Sequence, residues 1–105
     1  MIVVVGRVST DDDKRAALIR VGQAVARASR AEAGCRNYGL YADTENEHDF
    51  VFVEEWETEE ALQRHFTTPH IAEFMQSITA VIVAAPEVSF HTVQSSRDLS
   101  DVTRP

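Results

Sequence analysis

Apolar and other residues alternate from Phe50 to Glu57, with Phe50, Phe52, Glu54 and Trp56 on one side and Val51, Val53, Glu55 and Glu57 on the other, which predicts a strand. The period changes at Thr58, placed to cap a helix whose first residues, Glu59 and Glu60, suit its positive end. Residues 2 to 9, IVVVGRVS, predict an earlier strand, with Ile2, Val4, Gly6 and Val8 opposed to Val3, Val5 and Arg7. Both of its faces begin apolar, so it needs cover on two sides. Thr10 to Asp13 fits the Ser/Thr-x-x-Asp/Glu start signal, and its three aspartates read as a helix start rather than a metal site. From Lys14 to Glu32, Leu18, Val21, Val25 and Ala28 recur at helical spacing, and Gly34 is placed to end that helix. CRNYGLYAD, from Cys35, predicts a second strand with Tyr38, Leu40 and Ala42 opposed to Asn37, Gly39 and Tyr41, joined by the polar TENEHD to the Phe50 strand as in a hairpin. Ala61, Leu62 and Phe66 then suggest a short helix. Thr68 and Pro69 open a longer one carrying Ile71, Phe74, Met75, Ile78 and Ile82, and after Pro86 a last strand runs from Glu87 to Val93.

The order β-α-β-β-α-α-β is that of an α+β, ferredoxin-like split βαβ domain with a broken second helix and a four-stranded antiparallel sheet. The domain is expected over residues 1–94, followed by a polar tail, 95–105, that lacks periodicity and is either disordered or laid on a partner. Helices in this plan cover one sheet face only. Whichever faces are assigned, Val3/Val5 or Ile2/Val4, and Val51/Val53 or Phe50/Phe52, lie away from them. Such an apolar face predicts a homodimer built by packing two sheets together.

A chain of 105 residues, 44% hydrophobic and 26% charged, is one ordinary globular domain with a modest core. No apolar run approaches the roughly 20 residues that cross a bilayer, and Val3 to Val5 are too brief for a signal peptide, so a cytoplasmic location is expected. A net charge of -7 without a Lys/Arg cluster argues against nucleic acid and against anionic membranes. Cys35 is the only cysteine and, with four scattered histidines, makes no recognisable zinc pattern; a buried structural thiol is its expected role.

Three segments, EAGCRNY (Glu32 to Tyr38), FVEEWETEEALQRH (Phe52 to His65) and TTPHIAEF (Thr67 to Phe74), together resemble the antibiotic biosynthesis monooxygenase superfamily. The resemblance runs from the first strand to about Val93. It implies a dimeric α/β barrel and several activities: cofactor-independent oxygenation of hydroquinones or polycyclic phenols, haem degradation, isomerisation of a phosphorylated signalling sugar, or none. The family's haem degraders use an Asn on the first strand, a Trp early in the second helical region and an axial His. Those places hold Gly6 or Arg7, His65 and Met75 here, which disfavours haem cleavage. The isomerase branch shares TTPH but wants more cations than Arg7, Arg36 and Arg64 supply.

The expected function is therefore a monooxygenase acting on a hydroquinone or polyphenol, with neither cofactor nor metal. The alternatives are a non-catalytic dimeric binding protein and the sugar-phosphate isomerase. His65 and His70 are the candidate bases, because imidazole titrates near neutrality; their structural alternatives are an exposed helix residue and a helix-start packing residue. Asn37, Tyr38, Tyr41, Phe52, Glu54 and Trp56 are the candidate substrate-binding residues, although tyrosines on strands also serve as core or dimer contacts. Trp56 is an aromatic wall or simply core. Glu54 shares an apolar face, so it is either a carboxylate of raised proton affinity or the partner of Arg7.

Overall fold

The computed structural model describes residues 1–105. Its elements are β1 (Ile2–Ser9), α1 (Arg15–Arg30), β2 (Cys35–Ala42), β3 (Asp49–Trp56), α2 (Glu59–His65), α3 (Pro69–Ile78), β4 (Glu87–Thr92) and α4 (Leu99–Thr103). The strands form one antiparallel sheet in the order β2-β3-β1-β4, the ferredoxin-like arrangement. Strand alternation puts Ile2, Val4, Val8, Phe50, Phe52 and Trp56 beneath the helices, where with Leu18, Val25, Leu62, Ile71 and Ile78 they form the core. Val3, Val5, Val51 and Val53 fall on the opposite face and stay half-buried.

The register lines up two rows across the helix-covered face. Tyr38 stands beside Glu54, Glu54 beside Val4 and Val4 beside Phe90; in the next row are Leu40, Phe52, Gly6 and Val88. Gly6 contributes no side chain to its row, so the sheet surface is lower there. The space above it is part of the cavity described below.

Four expectations change. Thr10 does not cap α1; its hydroxyl donates to the Val81 carbonyl at 2.7 Å, and Asp11 instead accepts from the Lys14 amide at 3.0 Å. α1 stops at Arg30, before Gly34, whose φ of 84° makes the turn into β2. α3 ends at Ile78 rather than near Ile82, and Val81 and Ile82 bury themselves from the following turn while Met75 is exposed. The tail is not structureless: Asp98 and Asp101 form a capping box that starts the short, exposed α4. No helix is long and apolar enough to cross a membrane.

Candidate active site

A cavity of about 310 Å³ lies between the helix-covered face of β1, β3 and β4 and the helices α2 and α3. Its wall is apolar, with Phe52, Phe66, Ile71, Phe74 and Phe90, and only Tyr38, Glu54 and His65 bring polar groups to it. That volume is at the small end of the range for ligand pockets.

His65 reaches the cavity because it is the last residue of α2. Thr58 caps that helix by accepting from the Ala61 amide at 3.1 Å, and Thr68 starts α3 while donating to the His65 carbonyl at 2.7 Å. The two threonine hydroxyls fix the backbone of the α2–α3 corner, and with it the point from which the His65 side chain projects. The side chain is 1% exposed and lies against Trp56, the ring centroids 4.6 Å apart and the planes tilted by 40°. Its Nδ1 lies 2.7 Å from Oε2 of Glu32, and Nε2 of His70 lies 2.7 Å from the same oxygen. A carboxylate only accepts, so both imidazoles donate to it; His65 Nε2 is left with a free lone pair. Burial holds the His65 pKa below the usual imidazole range, and the bond to Glu32 partly opposes the shift. Burial thus favours the neutral ring, which is held in one tautomer and backed by a carboxylate, the arrangement of an oriented general base.

Glu54 stands on the sheet side of the same cavity. Burial pushes its carboxyl up to about 7, against the Trp56 indole N–H, which donates to Oε1 at 3.0 Å. Arg7, expected as its partner, lies on the other face of the sheet and is exposed, because β1 places Gly6 and not Arg7 toward Phe52. Tyr38 is buried beside Glu54, and desolvation with the adjacent carboxyl drives its hydroxyl well above the usual phenol range. It is a hydrogen-bond donor rather than a base.

The candidate residues therefore divide. His65, Tyr38, Phe52 and Glu54 meet in the cavity. His70 sits behind Glu32, facing a groove with Arg20 and Glu73. Trp56 is wholly buried and forms the wall behind His65, not the cavity surface. Asn37 and Tyr41 lie across the sheet: strand alternation sends them to the outer face, where the Tyr41 ring folds over Gly39. Sequence reasoning missed Glu32 as a functional residue. The only signal for it was its place at the head of EAGCRNY, since nothing in local spacing connects it to residues 33 and 38 positions later. Cys35 is half-buried, with burial raising its thiol to about 11, and His48 is held at the surface by Asp12 at 2.7 Å.

The chain has relatives among known proteins. Residues 1–77 match the profile of the antibiotic biosynthesis monooxygenases. Two relatives carry names that mark them as candidate monooxygenases. YcnE of Bacillus subtilis is 32% identical over 75 residues, 71% of this chain and 79% of its own. Rv0793 of Mycobacterium tuberculosis is 32% identical over 92 residues, 81% of this chain and 90% of its own. The solved structure of Rv0793 superposes with a TM-score of 0.84 at 25% identity, covering 92% of this chain and 98% of that one. SnoaB from Streptomyces nogalater, a cofactor-independent oxygenase, shares the fold with a TM-score of 0.79 at 16% identity, over 90% of this chain and 94% of its own.

Proposed function

This chain belongs to the antibiotic biosynthesis monooxygenase family, and from that premise we propose that it oxidises a hydroquinone-like or polyphenolic small molecule with O₂, without a cofactor. The observation that carries the reading is His65, a buried imidazole in the wall of an apolar cavity, with one nitrogen tied to Glu32 and the other without a hydrogen-bond partner. In this reading Nε2 takes a phenolic proton. The electron-rich anion passes an electron to O₂, and the radicals recombine at carbon to a hydroperoxide. Loss of the C–H proton and hydroxide leaves a carbonyl, so one oxygen atom enters the product and the other departs as water. The substrate supplies all the electrons, so the chemistry needs no flavin or metal. Tyr38 and the protonated form of Glu54 orient the oxygens by donating hydrogen bonds. SnoaB shows that this fold can carry cofactor-free oxygenation.

The second part of the reading is a homodimer through the outer sheet face, where Val3, Val5, Val51 and Val53 lie half-buried without helices over them. Full burial of Trp56 in the core favours a second reading, a binding protein that holds an aromatic ligand without turning it over.

The test is O₂ uptake with menadiol and anthrone. The wild type should exceed buffer, and His65→Gln should lose on the order of a hundredfold or more, the usual worth of a general base. Ligand binding without O₂ uptake would favour the binding protein; rates equal to buffer, with no binding, would sink both readings.

A further inference from the structure

We propose that Glu32, His65 and His70 form a site for a first-row divalent transition metal ion such as Zn²⁺, and that the ion displaces the base form of His65. The three donor atoms come from three separate pieces of chain: the segment after α1, the end of α2 and the start of α3. They all lie within 4.8 Å of one another, and both imidazole nitrogens aim at one carboxylate oxygen, 2.7 Å away in each case. Ligands bound to zinc at about 2.0–2.1 Å sit roughly 3 Å or a little more from each other, so each imidazole–carboxylate pair need only open by less than about 1 Å to admit the ion. Two imidazoles and one carboxylate suit Zn²⁺ and its first-row neighbours and not Mg²⁺ or Ca²⁺, which want oxygen throughout. The Glu32 carboxylate meets no Lys or Arg within ion-pair distance, its partners being the two histidines, so a cation enters without breaking a salt bridge. Entry is open at His70, whose side chain is 24% exposed, while the His65 side chain is 1% exposed.

The consequence follows from the tautomer. Without metal, the His65 proton sits on Nδ1, shared with Glu32, and the Nε2 lone pair has no partner. A neutral imidazole that ligates through Nδ1 must carry its proton on Nε2. Metal binding therefore turns His65 from acceptor to donor, and base chemistry and metal occupancy exclude each other. The metal site itself does not depend on the oxygenase reading, since it rests on the three donor atoms.

The experiment is a ZnCl₂ titration of the metal-free full chain against a chromophoric chelator, with imidazole ¹⁵N shifts read before and after. It is repeated on Glu32→Gln, His70→Ala and His48→Ala, the last from a separate exposed cluster with Asp12 and Glu47. The expected result is one ion per chain, affinity at least about tenfold weaker in Glu32→Gln and His70→Ala but unchanged in His48→Ala, and transfer of the His65 proton from Nδ1 to Nε2. Circular dichroism on the near-isosteric Glu32→Gln separates ligand loss from misfolding. No binding by the wild type, equal affinity in all variants, loss only in His48→Ala, or binding with the His65 tautomer unchanged would overturn the proposal, and none of these outcomes depends on finding a substrate.

Discussion

Glu54→Gln is the substitution whose effect can be worked out most fully. The wild-type carboxyl is 9% exposed, has no cation beside it, and titrates at about 7 instead of 4.5. Between those two values the folded protein holds a proton that the unfolded chain has already lost. Stability therefore falls as pH rises through that window and levels off above the folded value. A shift of about 2.5 pH units corresponds to about 3 kcal/mol lost between roughly pH 4.5 and pH 8. Glutamine keeps the volume and the acceptor for the Trp56 indole N–H, and cannot ionise, so the variant lacks this loss. Other groups titrate alike in both proteins and cancel in the difference. Urea unfolding at fixed protein concentration, read by the fluorescence of the single tryptophan, gives the difference directly. Glu54→Gln should gain about 3 kcal/mol on the wild type between those pH values, most of it below about pH 7. A difference that stays constant to within about 0.5 kcal/mol would show that Glu54 is solvated or paired, and would remove the reason for treating it as a protonated donor in the cavity.

Three further outcomes are expected. Gly34→Ala should destabilise by about 2 kcal/mol or more in thermal or urea unfolding, because the residue has φ 84° and its new Cβ would lie 2.5 Å from the Ala61 Cβ. Val5→Asp should convert the proposed dimer to monomer in sedimentation at micromolar concentration while far-ultraviolet circular dichroism is unchanged, since Val5 lies on the outer face and not in the core; a wild-type monomer would contradict the interface. Gly6→Ala should keep the fold, since its Cβ meets Phe52 and Val88 at 3.6 and 3.8 Å, yet should weaken aromatic binding and O₂ uptake by narrowing the cavity; activity at the wild-type level would place the substrate elsewhere.

Most of the architecture was legible because it is written in local periods. Alternation along β1 and β3 and the three- and four-residue recurrence in α1 come from which side chains face a core, and so they survive in the linear chain. The misreadings concern places where a distant group decided the outcome. Thr10 has every local mark of a cap, but the Val81 carbonyl, 71 positions away, takes its hydroxyl. Ile82 keeps the helical spacing although the helix has ended, because Val81 and Ile82 find the core from a turn.

Local pattern was enough for the order of elements from β1 to β4, the two apolar sheet faces, the family and the corner that carries His65 and His70. Each of these depends on residue type and spacing over fewer than twenty positions, or on motifs that are themselves local. Which side chains meet was set by packing. One residue of phase on β1 sends Arg7 to the outer face and leaves Glu54 without a cation, and the same alternation on β2 removes Asn37 and Tyr41 from the cavity. Folding α1 against the α2–α3 corner brings Glu32 to both histidines. A carboxylate 33 residues before an imidazole has no periodic relation to it, and the distance between them exists only once the helices are packed.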